Sequence, residues 1–385
     1  MNESNLPFTT RSVPISINGN NELNATASMG NGTAGNPYVI EDLTIDAGGY
    51  DYGILIQDTD AHFILQNCTI RNAKSVGIYL NNVTNAQVFK NQVINISGMS
   101  GISVYESNYN KILNNVITDC FQGISLYWYS QNNEIVRNTV VSSIDTGIWL
   151  DYLCECNTLS YNNVTISGFY GIHLERAAHN QLLHNEIHDS VTGIDIRLNS
   201  YNSTLINNSL VHNNWKGIYI EMADQNRLIN NTVVLSYRGI HLESSNRNIL
   251  DNNTVSSNFY GIELAPGTRN NLTANIICYN SYGIHLWAAH NNTLIDNIIN
   301  HNGVDGLWLY NTQYSNITHN VISFNTRGIY LDSSVNNSIT WNLLDYNQGC
   351  IAGSIAGNFI SIIPALKSRS PLLSRPSRLI RVLMG

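Results

Sequence analysis

Charge is what this 385-residue chain has least of: only 12% of its residues are Asp, Glu, Lys or Arg. Disordered chains combine high charge with few apolar residues, and 43% of this one is apolar, so disorder is excluded. Proline is nearly as scarce. Between residues 38 and 363 only Pro266 occurs, as expected where backbone N–H groups are committed to ladders, and Pro266-Gly267 reads as a single turn insertion. No run of about 20 apolar residues exists, which excludes a transmembrane helix of ordinary length. The opening MNESNLPFTT has no apolar core, so no signal peptide is visible at this end, and the start reads like the interior of a secreted protein. The six cysteines fit no zinc spacing; Cys154 and Cys156 form the only close pair and read as thiols in coil turns, with a copper or redox role as the alternative. Basic residues are also few. Five of the 19 lie in the last 21 residues, so residues 1–364 carry 14 basic against 27 acidic groups, a net of −13 that repels nucleic acid phosphates.

What is present is repetition. GIHLE stands at 171–175 and again at 239–243, and GIHLW at 283–287. The glycine of this motif recurs at Gly53, Gly77, Gly101, Gly123, Gly147, Gly171, Gly193, Gly217, Gly239, Gly261, Gly283, Gly306 and Gly328, with Gly349 opening a degenerate copy. The steps run from 21 to 24 residues. A second anchor, an aliphatic followed after two residues by Asn, accompanies each copy, as in LLHNEI (182–187) and LIDNII (294–299). Chains of this kind grow by adding units rather than by enlarging one core, so the length prior of two or three domains is set aside. Residues 1–38 read as a lead-in or cap, 39–356 as one array with VIEDLTID (39–46) as its first strand, and 357–385 as an irregular basic tail. That tail is either an amphipathic cap or the end of a truncated or frame-shifted gene.

Asn, Thr, Ser, Ile and Val dominate each unit, and these are poor helix formers. Apolar and polar residues alternate with the period of a strand. Three short strands of four or five residues with tight turns use up one repeat, and the closure this predicts is all-β: a single right-handed parallel β-helix of 13–14 coils, a rod on the order of 65 Å long. A leucine-rich repeat shares the period but needs a helical or turn-rich return segment, where this chain has another β-like run. Inward Ile, Val and Leu would fill the bore. The recurrent Asn residues, such as Asn185, Asn231, Asn275 and Asn320, would stack near a turn and bond along the axis. Each repeat glycine would sit where a side chain clashes or φ is positive. Fifteen Asn-x-Ser/Thr sequons occur, including Asn67, Asn163 and Asn271, and the chain's Asn and Thr content accounts for most of them.

YGIHLE…NQLLHNEI and its copies resemble the right-handed β-helix repeats of the NosD-like group, also called carbohydrate-binding and sugar-hydrolysis repeats, within the pectin-lyase-like superfamily. PISINGNNELN (14–24) and GNGTAGNPYVIEDLTIDAGG (30–49) are similar to the lead-in of such microbial surface proteins. The resemblance covers residues 14 to about 350. It implies the fold and leaves function open, because lyases, hydrolases, epimerases, adhesins and accessory factors share it. The Asn-Thr-Asp, Asp-Asp, Gly-His-Gly and Arg-Ile-Lys motifs of the superfamily's pectinolytic hydrolases are missing, as is the Asp-Pro-His of alginate-epimerase-like chains.

In Gly-Ile-x-Leu-x the two x positions point away from the bore. They form a face of acids, imidazoles and aromatic rings that suits the C–H faces and hydroxyl edges of sugars. Trp149, His173, Glu175, Arg197, Tyr219, Glu221, Glu243, Trp287, Trp308, Tyr310 and Tyr330 are the candidate carbohydrate-binding residues. Asp195, His241, Glu263 and His285 are the candidate acid/base groups if the chain is an enzyme on acidic polysaccharide. The competing view of the same face is a structural ladder of good strand formers. No metal set is identified, because side chains on one straight column diverge too little to wrap a cation; Ca²⁺ is the ion an acidic face could take, and no motif specifies it. The favoured expectation is a non-catalytic secreted, surface or periplasmic scaffold that binds polysaccharide, a monomeric module of a larger surface protein. An enzyme and a NosD-like accessory protein in copper-site assembly are the alternatives.

Overall fold

The computed structural model describes residues 9–11 and 13–364, and the chain divides into two compact units, Met1–Ser209 and Leu210–Gly385. Each is an all-β solenoid of parallel strands, and the coils of the two come to about 14 turns. A coil of the second unit shows the plan. A six-residue strand, Tyr260–Ala265, is followed by two three-residue strands, Asn271–Thr273 and Ile276–Cys278, each reached through a sharp corner. A coil of the first unit repeats it with Tyr170–Glu175, Gln181–Leu183 and Glu186–His188. The expected strands of four or five residues are therefore one long strand and two shorter ones. Among the described residues, no helix is long and apolar enough to cross a membrane, which says nothing of strands that do so.

Register puts like on like. Ile240 pairs with Ile262 and Ile262 with Ile284, Leu250 with Leu272 and Leu272 with Leu294, Val255 with Ile277 and Ile277 with Ile299. All nine are fully buried, and each contributes roughly 1.5–3 kcal/mol by leaving water.

The corners are steep. In one coil Ser244, Arg247, Asn252 and Ser257 all take left-handed backbone angles, with φ between 51° and 60°. Such angles cost an L-residue roughly 1–2 kcal/mol. Each of these residues is followed by a buried polar one, Ser245, Asn248, Asn253 and Asn258, whose side chain satisfies the backbone the corner leaves open. The sequence pointed to one Asn column. The second unit has three: Asn231–Asn253–Asn275–Asn297–Asn320–Asn342, Asn258–Asn280–Asn302–Asn325–Asn347, and a third through Asn226, Asn248, Asn270 and Asn292. The first unit carries the same device in Asn91–Asn115–Asn138–Asn162–Asn185.

The repeat glycines answer to the first of the two reasons expected: they are glycine for lack of room, and none has a positive φ. A Cβ on Gly261 would sit 2.5 Å from the Gly283 carbonyl oxygen and 2.7 Å from an Ile277 methyl. Pro266-Gly267 is not an insertion, since it occupies the place of Ser244-Ser245 and the Asn248–Asn270 register continues past it. The stretch 39–46 is two strands, Tyr38–Glu41 and Leu43–Asp46, broken by a left-handed Asp42, and the ladder starts earlier, with Thr9–Arg11 on Leu43–Ile45 and Ile15–Asn18 on Ile54–Gln57. The helix Gly19–Thr26, with Leu23 buried, follows Ile15–Asn18. Phe359–Pro364, inside the segment assigned to the tail, pairs with Ser338–Leu344. Residues 365–385 lie outside the described residues.

Candidate functional site

The fifteen candidate side chains divide between the units. Trp149, His173, Glu175, Asp195 and Arg197 belong to the first. Tyr219, Glu221, His241, Glu243, Glu263, His285, Trp287, Trp308, Tyr310 and Tyr330 belong to the second. All stand on the long strands, pointing away from the bore. Pointing outward does not make them exposed. Asp195, His173, Tyr219, His241, Glu263 and His285 are all buried, which corrects Tyr219 as an exposed ring and the first x column as an open surface. Coils stack at about 4.8 Å, less than the reach of these side chains, so each lies over its neighbour.

In the first unit, His173 is sandwiched between Tyr170, stacked at 4.5 Å, and Trp149 at 5.5 Å. Its Nδ1 lies 2.7 Å from Asp195 and its Nε2 3.5 Å from Glu175. Burial works against the imidazolium, but these two carboxylates outweigh it and raise the His173 pKa. The Arg197 Nε donates to Asp195 at 2.9 Å. Asp151 was not a candidate. It pairs in register with Glu175, and burial, followed by the Glu175 charge, raises its carboxyl. Cys154 and Cys156 do not converge: the first is buried, its thiol pushed up to about 12 by burial, and the second is exposed.

In the second unit, Glu263 is the hub. Arg238 donates to it from its Nε, His285 Nδ1 lies 3.1 Å away, and His241 Nε2 lies 3.6 Å away. Burial opposes the Glu263 carboxylate, yet the His285 hydrogen bond and the His241 and Arg238 contacts prevail and hold its pKa at about 2. His241 goes the other way: burial, reinforced by Lys216 and Arg238, drops it to about 3 and keeps it neutral. Tyr219 stacks on His241 at 5.1 Å and donates its hydroxyl to Glu243 at 2.7 Å. Glu221 pairs in register with Glu243.

Ring faces separate the aromatic candidates. Trp308 has His285 stacked on it at 4.2 Å, Tyr330 has the Arg327 guanidinium 3.9 Å from its centre, and Tyr219 has the Lys216 ammonium at 3.0 Å. Those ring faces are covered by neighbouring side chains. Trp287 and Tyr310 are register partners, 49% and 38% exposed, with no ring or cation stacked on either among the described residues.

Beside Trp287 the second x column skips a side chain. It runs Glu221, Glu243, Ala265, Trp287, Tyr310, and the methyl of Ala265 leaves a gap between Glu243 and Trp287. The gap opens a cleft of about 240 Å³ lined by Trp215, Lys216, Arg238, His241, Glu243, Glu263, Ala265 and Trp287. Trp215, Lys216, Arg238 and Ala265 were missed from sequence. The signal was the position before each repeat glycine, where Tyr170, Lys216, Arg238, Tyr260 and Arg327 stand. The strands skip the glycine in their pairing, so alternation restarts and this residue joins the outward face. Among the described residues, no group of three His, Cys, Asp or Glu side chains is placed to hold a metal ion.

The sequence matches the right-handed β-helix region family over residues 52–209 and 217–362. The chain belongs to that family. Within it, residues 147–282 also match the periplasmic copper-binding protein family NosD, about a third of the chain. No curated protein matches. Among solved β-helix structures, the A-module of the mannuronan C-5 epimerase AlgE4 of Azotobacter vinelandii is similar at 14% identity, with 89% of this chain and 100% of that one covered and a TM-score of 0.53. A double mutant of the periplasmic alginate epimerase AlgG gives 15%, 72%, 76% and 0.51 in the same order. The Dettilon tailspike protein gives 15%, 77%, 64% and 0.54. At these identities the likeness shows the β-helix fold alone.

The neutral His241 carries a pH dependence. An unfolded His binds its proton near pH 6.5 and the folded one near 3, so the unfolded state gains stability as pH falls between those values. Glu263 acts in the same sense at lower pH: its contribution is present above about 4.3 and is lost as pH falls through about 2. His173, with a raised pKa, acts in the opposite sense in the first unit. Between pH 7 and 5, His241 therefore costs about 2 kcal/mol of stability. Urea unfolding of the native chain and His241→Gln at both pH values should show that loss as the difference between their pH dependences.

Proposed function

We propose that this chain is an extracytoplasmic β-helix scaffold that binds carbohydrate in the cleft of its second unit. The observation that carries the reading is the unstacked Trp287–Tyr310 pair beside a polar-floored gap. Flat rings with open faces take the C–H face of a sugar, while His241, Glu243 and Glu263 meet its hydroxyl edge. Concave sites with an aromatic wall and a few fixed polar groups are the usual form of a small-ligand site. The match to the periplasmic family NosD supports the compartment, and the epimerases among the similar solved structures favour carbohydrate as a broad ligand class without favouring the uronates they act on.

Binding is favoured over hydrolysis with Glu263 as the acid. A glycosidase needs one carboxyl protonated at working pH. Arg238 and His285 hold Glu263 ionised, which suits an acceptor and not a proton donor. The test is titration of the full chain against a glycan array followed by calorimetry. Trp287→Ala should weaken binding at least about tenfold, and Tyr310→Ala by a smaller factor. Trp308→Ala, which breaks the internal ladder, should change stability more than affinity. Equal affinity in native protein and Trp287→Ala would remove the cleft from consideration.

A further inference from the structure

Resting on the carbohydrate reading, we infer that the cleft selects a neutral, hydroxyl-rich sugar chain and rejects uronate polymers. Two ring nitrogens beside Glu263 are orphaned. His241 Nδ1 and His285 Nε2 are buried and, among the described residues, have no hydrogen-bond partner, in residues that are 5% and 7% exposed. The other nitrogen of each ring faces Glu263. A carboxylate that only accepts draws the ring proton to the nitrogen facing it, which fixes the tautomer and leaves the far nitrogen as a bare lone pair. Glu263 thus turns His285, bonded at 3.1 Å, into an acceptor at its far nitrogen, and its charge biases His241, 3.6 Å away, in the same direction. His241 lines the cleft, and its Nδ1, which has less than 1 Å² of accessible surface, is an acceptor that a ligand meets by a small opening of the cleft floor. Leaving a buried acceptor unpaired costs roughly 1–3 kcal/mol, and a ligand O–H removes that cost.

The charges agree. Two cations and two carboxylates line the cleft, so its formal charge is zero. Both cations are engaged in part: Arg238 bonds Glu263 through its Nε with its guanidinium over Trp215 and Tyr237, and Lys216 is packed on Tyr219. A uronate would also meet the Glu243 carboxylate. Glu243 accepts one hydroxyl, from Tyr219, and keeps capacity for more. At longer range, residues 1–364 carry a net −13, which repels a polyanionic chain as it repels nucleic acid. A neutral polyol supplies donors and no charge, and it is the ligand class that satisfies every group on the cleft floor.

The experiment is calorimetry of the full chain with two sets of probes at low and physiological salt. The neutral set is cello-, xylo-, malto- and mannohexaose; the acidic set is hexamannuronate and hexagalacturonate. A neutral hexasaccharide should bind at least about tenfold tighter than either uronate, with little salt dependence. His241→Phe, which deletes the acceptor and keeps the ring stack, should lose about tenfold. His241→Gln, whose amide oxygen can accept, should recover part of that. Tighter, salt-sensitive binding of a uronate overturns this inference and leaves the glycan reading standing, as does neutral binding that His241→Phe does not alter. Binding of no probe overturns both.

Discussion

Asn275→Ala is expected to destabilise the second unit by about 4 kcal/mol, a large effect for one uncharged side chain. Asn275 donates from Nδ2 to the Leu250 carbonyl at 2.8 Å and to Asn297 Oδ1 at 2.9 Å. Its own Oδ1 accepts from both the backbone N–H and the side-chain amide of Asn253, at 2.9 Å each. Alanine removes all four bonds at a fully buried position. It strands a backbone N–H, a side-chain amide and a carbonyl with no water in reach, and each stranded group costs roughly 1–3 kcal/mol. Some relaxation keeps the total below the sum. Asn252 next door is the control. It is exposed, its amide bonds only to Asn230, and its loss should cost under about 1 kcal/mol beyond the left-handed backbone preference. Denaturant unfolding reads both, and amide exchange at Asn253 reads whether the opening is local. Equal effects of the two substitutions would refute the view that the inner Asn columns hold the corners together.

That contrast shows where the sequence was legible. The 22–24-residue step, the inward Ile and Leu and the first Asn column were all readable, because each is a periodic property and the fold repeats it coil after coil. Register does the rest: once the glycines are aligned, Ile240, Ile262 and Ile284 must stack. The site was half legible. The x columns named His241, Glu243, Glu263, His285 and Trp287 correctly as outward residues. They could not show that outward side chains bury one another, so Tyr219 and Trp308 read as binding surface although their faces are covered. Nor could alternation follow the chain across a glycine whose pairing is skipped, so Lys216 and Arg238 went unnoticed. Hardest of all was Ala265. An alanine is silent in a sequence; it becomes a feature only when the residues above and below it are known to be Glu243 and Trp287.

Ala265→Leu should therefore abolish ligand binding, by about 100-fold or more, while leaving every polar group of the cleft in place. The side chain starts from the cleft floor, between Glu243 and Trp287, and the added carbons would occupy space that a sugar ring needs. Ala265 is 1% exposed, so the longer side chain reaches the cleft from beneath its floor, and a stability loss beyond about 3 kcal/mol would mark overpacking instead of occupancy. This separates occupancy of the cleft from disruption of the fold, which Trp287→Ala alone cannot do. It also separates the cleft from the outer ladders. Trp215, Tyr237 and Phe259 stack face to face at about 5 Å, as do Tyr279, His301, Phe324 and Tyr346, so their exposed edges have few open faces for a sugar. If a glycan binds Ala265→Leu as tightly as the native chain, the ligand lies along one of those ladders and the gap in the second column has no part in recognition. If binding vanishes while the urea midpoint is kept, the smallest side chain of the row defines the site, and Trp287, His241 and Glu243 recognise the ligand because Ala265 leaves it room between them.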